Sequence, residues 1–132
     1  MSLDIEKYGF IDTNIVLRYV LNDHYELSPK AKEIFVNEDV LILTQVIAEA
    51  IYVLKGVYKS TRQEIADTLL SICLMDNVSL EHEEIVVSAI KEFRNTNLDF
   101  VDVLLYSHQK FTKIPVATFD AGLISKLKEL QE

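Results

Sequence analysis

Apolar residues recur along this chain in two rhythms. Short unbroken runs of strand length stand at 8–12 (YGFID), 40–44 (VLILT), 78–80 (VSL) and 114–119 (IPVATF). VLILT has the character of a strand buried on both faces of a parallel sheet. Between these runs the spacing turns helical, over TNIVLRYVLND, SPKAKEIFVN, QVIAEAIYVLK, IADTLLSICLM, HEEIVVSAIKEF, LDFVDVLLYSHQKF and AGLISKLKEL. The order strand–helix–helix–strand–helix–helix–strand–helix–helix–strand–helix predicts a three-layer α/β/α sandwich with a mostly parallel central sheet. Repeats, linkers and low-complexity tracts are absent, so residues 1–132 are expected to form a single domain.

The ends of the helices carry their own signals. Ser28-Pro29 is expected to open the second helix, since Ser caps and Pro is tolerated in the first turn. Gly56 is a C-terminal cap for the helix before it. Ser60 and Thr61 both have a capping-box partner three positions on, Gln63 and Glu64, which leaves the start of the next helix open between them.

Composition narrows the class. The chain has 132 residues, 49% of them hydrophobic, and a mean hydropathy of +0.15, so a real core is within reach. Three glycines and two prolines argue against a turn-rich all-β protein. A single cysteine, Cys73, excludes an intramolecular disulfide framework and reads as a small buried side chain. The start MSLDIEKYGF does not read as a signal peptide and no run approaches membrane length, so a cytoplasmic protein with no membrane contact is expected. Net charge is −8 and the pI is 4.8, the wrong sign for an ordinary nucleic-acid binder. Either the partner is not nucleic acid, or acids are gathered where cations neutralise them.

Four acids decide the matter by position. Asp12 and Asp120 end the first and last strands, where open parallel sheets bind ligands; each doubles as an N-cap for the following helix. Glu49 shares a helical face with Val46, Ala50 and Val53, an expensive place for a carboxylate unless a metal is near or the side chain reaches solvent. Asp102 sits early in its helix, where the helix dipole alone favours an acid. Asp99, three residues before it, reads first as a cap. Together these acids make an oxygen-only ligand cluster suited to Mg²⁺ or Mn²⁺, while His24, His82 and His108 show no metal-ligand spacing. Such a cluster repels itself without a cation and, with one, is a phosphodiester-cleaving centre in which the ion activates water. Arg18, Lys30 and Lys113 are candidates to hold flanking phosphates, or are ordinary surface charges.

The segments FIDTNIVLRYVL, LTQVIAEAIYVL, LDFVDVLLYSHQ and IPVATFD, together spanning nearly the whole chain, resemble the PIN domain, and within it the VapC-like toxins of toxin–antitoxin pairs. The resemblance rests on the Asp-Thr-Asn at 12–14, the helical Glu49, the D-x-x-D of Asp99 and Asp102, and the Thr-x-Asp of Thr118 and Asp120. It implies an endoribonuclease dependent on Mg²⁺ or Mn²⁺, a homodimer, and a small antitoxin partner, with Asp12, Glu49, Asp102 and Asp120 as ligands. Thr13, Asn14 and Thr118 would then orient the acids; otherwise they serve as turn and cap residues. Two rival readings are an inert acidic binding module on the same fold and a phosphoacceptor receiver domain. The second fits poorly, since VLILT ends in Thr44 rather than an acid. Apolar positions Ile65, Leu69, Ile72 and Met75 exceed what one helix face is expected to bury, which points the same way as the implied dimer.

Overall fold

A computed structural model describes residues 9–131. The elements are β1 (Gly9–Phe10), α1 (Thr13–Leu21), α2 (Leu27–Asn37), β2 (Val40–Ile42), α3 (Thr44–Gly56), α4 (Arg62–Cys73), β3 (Val78–Leu80), α5 (Glu83–Asn95), α6 (Phe100–Thr112) and α7 (Ala121–Lys128), closed by a 3-10 turn at Glu129–Gln131. Tyr8, the first residue of the first expected strand, lies outside the described residues, as does the N-terminal segment read against a signal peptide.

The sheet has three parallel strands in the order β1-β2-β3. Gly9 pairs with Val40, Val40 with Val78, and Ile42 with Leu80. Val40 and Ile42 are fully buried, as the apolar run around them predicts. The fold is therefore α/β with a parallel sheet.

The expected fourth strand at 114–119 is not in the sheet. The segment has no regular secondary structure, and its polar groups are used locally instead. Pro115 has no N–H to offer a ladder. Val116 donates its N–H to the Gln109 side chain at 2.9 Å, and Asp120 donates its own to Thr118 Oγ1 at 3.0 Å. Ile114 is 67% exposed, Phe119 wholly so, and the free edge of β1 leaves Phe10 69% exposed.

One large cluster runs from Val16 and Phe35 through Ile47, Leu54, Leu69 and Ile90 to Phe100 and Val103. A second, small one joins Tyr106 on α6 to Leu123 and Leu127 on α7. Ile65, Leu69 and Ile72 are at most 1% exposed in the large cluster, with Met75 packed against it, so α4 has no surplus apolar face. Burying them between α5, β3 and α3 explains the density of apolar residues that had suggested an interface. Cys73 is buried too, which with the nearby Glu83 charge pushes its thiol up to about 11. No helix among the described residues is long and apolar enough to cross a membrane.

The caps resolve the open boundaries. Thr61 and Glu64 form the capping box, each side chain accepting the other's backbone N–H, at 2.8 and 3.1 Å. Ser28 does not open α2. It sits buried inside the first turn, and His24 Nδ1 accepts the N–H groups of Glu26 and Leu27 at 3.2 and 2.9 Å. Gly56 stays helical, and the left-handed residue is Lys59, with φ of 57°.

Candidate functional site

Parallel strands put their C-terminal ends at one edge, and the loops leaving that edge carry the acids. Extending the observed register two residues past Phe10 sets Asp12 level with Leu43 and Glu81. Asp12 is the N-cap of α1, its Oδ1 accepting the N–H of Ile15 at 3.0 Å. Asp120 caps α7 likewise, Oδ2 accepting from Leu123 at 2.8 Å. The capping role of each acid is thus real, and in each case the second carboxylate oxygen takes no hydrogen bond among the described residues.

Asp99 occupies the N-cap position of α6 but makes no capping hydrogen bond, so its carboxylate is not committed to the helix. Asp102 follows in the first turn, half-buried. Its carboxyl is held above the usual range by burial first, then by the charges of Asp120 and Asp99. The structure therefore brings Asp99, Asp102 and Asp120 into one electrostatic group. Two features hold that group. Arg62 at the start of α4 donates from one guanidinium nitrogen to the carbonyls of Phe93 and Leu98, at 2.9 and 2.8 Å, and stacks 4.2 Å from the Phe93 ring, fixing the turn that leads into Asp99. Gly122 lets α7 close on that turn: a Cβ there would stand 2.9 Å from a Leu98 methyl and 3.2 Å from Asp120 Oδ2.

Asp12 and Glu49 are not among the charges that shift Asp102, and no three His, Cys, Asp or Glu side chains among the described residues are placed to share one metal ion. The strand that was to carry Asp120 beside Asp12 is the segment that lies outside the sheet. Glu49 is exposed on α3, so its charge is tolerated by solvent and the cost argued from its apolar neighbours does not arise. In kind, the donor set still suits a hard divalent cation: it offers carboxylate oxygen only, and at Asp102 it disfavours the anion unless positive charge arrives.

Among the other expected residues, Thr118 accepts the N–H of Asp120, while Thr13 and Asn14 form the first turn of α1. Arg18 is engaged with Asp23 and the Tyr58 hydroxyl, both at 3.1 Å, with its Nε buried and unpartnered. Lys30 pairs with Glu26 at 3.6 Å. Lys113 caps α6 in a left-handed conformation with φ of 66°.

Two features had no legible signal. Glu81, directly after β3, accepts the N–H of Thr44 at 3.0 Å and so caps α3 across 37 positions of sequence; that bond holds its carboxyl below the usual range. His82 and His108, distant in sequence, stack edge to face with ring centroids 5.8 Å apart, so a histidine pair does exist. Only the antiparallel packing of α5 on α6 brings them together.

Comparison with known families matches residues 9–130 to the family described as PIN domain. Comparisons with curated proteins and with solved structures returned no match.

Proposed function

The chain belongs to the PIN-domain family, whose members are generally nucleases, and from that premise we propose that it is a metal-dependent endoribonuclease of the VapC-like toxin type. The observation that carries this reading is Asp102, a carboxyl destabilised as an anion by burial first and then by the charges of Asp120 and Asp99, where two helices begin. Asp12, Glu49, Asp102 and Asp120, with Asp99 in support, would be the acids that hold Mg²⁺ or Mn²⁺, although in this structure no three of the described side chains stand close enough to share one ion. When bound, the ion supplies polarisation of the scissile phosphate and activation of a water. The chain's own groups set the stage for it. Leu123 and Thr118 fix Asp120 from side chain and backbone. Arg62 fixes the turn before Asp99. A homodimer and a small antitoxin belong to the same proposal; exposed Phe10, Ile114 and Phe119 are apolar surface available to partners.

Attack by water leaves the 2′-hydroxyl of RNA unused, so products carry a 5′-phosphate and a 3′-hydroxyl. Single-stranded RNA is the expected substrate, because unpaired backbone enters a cleft that a duplex does not. A second reading has one observation behind it: the His82–His108 pair is suited to acid–base chemistry through the 2′-hydroxyl, which leaves 2′,3′-cyclic ends. Mass spectrometry of cleaved oligoribonucleotides separates the two. We expect linear 5′-phosphate products, loss of cleavage in excess chelator, and a drop of about 100-fold or more in kcat/KM for Asp102→Asn. Cyclic termini, or cutting that survives chelator, exclude the proposed route.

A further inference from the structure

A cleft of about 300 Å³ lies between α3 and α6, and the acids reach into only one side of it. Its floor is Ile51, Phe93 and Phe100, all at most 5% exposed. Tyr52 and Lys55 stand on α3 three residues apart and so share a helical face at the wall of the cleft, while Asp99 and Asp102 line it from α6.

Tyr52 is the exposed aromatic of the cleft. It is 78% exposed although its helix buries Ile51 and Leu54 almost completely, so the core has no use for its ring. Lys55 makes no ion pair among the described residues, and its Nζ lies 6.0 Å from the centre of the Phe93 ring at the floor of the cleft, which two carboxylates also line. An uncovered aromatic face over an apolar floor suits a flat ring, and an ammonium without an ion pair, held over that floor, suits an anion attached to it. Nucleobase and phosphate supply that pair of features in one ligand. A docked helix from a protein partner would instead want several apolar anchors along a groove, and a cleft of this size takes a single base-sized group.

We propose that this cleft is a base-stacking subsite for single-stranded RNA, in which Tyr52 stacks on a nucleobase and Lys55 holds the adjoining phosphate. The bound strand then passes Asp99 and Asp102 on the opposite wall. The inference rests on the ribonuclease reading and adds to it the grip on substrate that an acidic site lacks.

The test uses the full chain and an oligoadenylate carrying one 2-aminopurine, whose fluorescence is quenched by stacking, in excess chelator so that nothing is cut. Wild type is expected to bind and quench. Tyr52→Phe should keep both, Tyr52→Leu should lose the quench and bind about tenfold more weakly, and Lys55→Gln should flatten the salt dependence. With metal restored, Tyr52→Leu should raise KM far more than it lowers kcat, at unchanged thermal stability. Undiminished quenching and KM in Tyr52→Leu, in a protein that does cleave RNA, overturns the subsite alone. A wild type that cleaves no RNA in the presence of Mg²⁺ or Mn²⁺ overturns the ribonuclease reading and this inference with it.

Discussion

Replacing Asp102 by asparagine separates electrostatics from packing, because the two side chains are nearly isosteric. The folded-state pKa of Asp102 is raised, through burial and then through Asp120 and Asp99, so the native state holds its proton to higher pH than the unfolded chain does. The resulting penalty is complete above the folded pKa and fades as pH falls toward the unfolded value of 3.8. Asp102→Asn should therefore raise the melting temperature of the metal-free protein at neutral pH, with the gain vanishing below about pH 4. Thermal scans across that range check the sign, and a variant less stable at pH 7 would assign Asp102 a structural hydrogen bond instead. Arg62 makes the opposite case. Its hydrogen bonds to the carbonyls of Phe93 and Leu98 are charge-assisted and partly buried, so Arg62→Met should cost about 2 kcal/mol in denaturant unfolding. Arg62→Lys, which lacks the planar fork, should recover only part of it. The same variants should lose activity beyond their loss of stability, since the turn they free leads into Asp99.

At the scale of elements, what the sequence made legible was whatever neighbours in the chain decide. The Thr61–Glu64 box, Asp12 and Asp120 as caps, and the buried run of β2 each depend on residues a few positions apart. The fourth strand was misread because its alternatives are also local: Gln109, Thr118 and Pro115 withdraw the backbone groups that a ladder needs, and an apolar run does not reveal that. Glu81 capping α3, His82 meeting His108, and Tyr52 being left uncovered were illegible for the reverse reason, each being settled by packing between distant elements. Helix α7 shows how such packing secures the site. Lys126, 15% exposed, pairs with Glu92 on α5 at 2.8 Å and lies 4.8 Å from the Tyr106 ring of α6. Burial works most strongly against the Lys126 charge, but the bonds and charges of Glu92 and Glu129, with Tyr106, together outweigh it and the pKa is raised. The stability it contributes is complete below its ordinary value of 10.5 and is lost as pH rises through the folded pKa. Lys126→Met should cost about 1–2 kcal/mol at neutral pH and nothing once the lysine is neutral. Unfolding curves at pH 7 and pH 12 give the comparison.

For the whole molecule, large apolar side chains stand exposed at several places, β1 and the 114–119 segment among them. Phe10, Ile114 and Phe119 are each at least 67% exposed, and the proposed dimer would cover them. Light scattering at micromolar concentration is expected to report twice the chain mass, a two-fold pairing being the commonest closed arrangement. A Phe10→Lys, Phe119→Lys double variant should return it to the single-chain mass without loss of helical signal. A wild type of single-chain mass would remove the dimer from the proposal.

The small cluster that seats α7 has a consequence in time. A ribosome releases the chain from its N-terminal end, so Asp12, Glu49, Asp99 and Asp102 all emerge before Asp120. The large core is complete with residues up to Val103, whereas Leu123 and Leu127 belong to the separate cluster on Tyr106. Docking of α7 is thus a step separable from closing the large core, and one acid of the proposed site arrives with it. The proposed site is therefore complete only once α7 has docked.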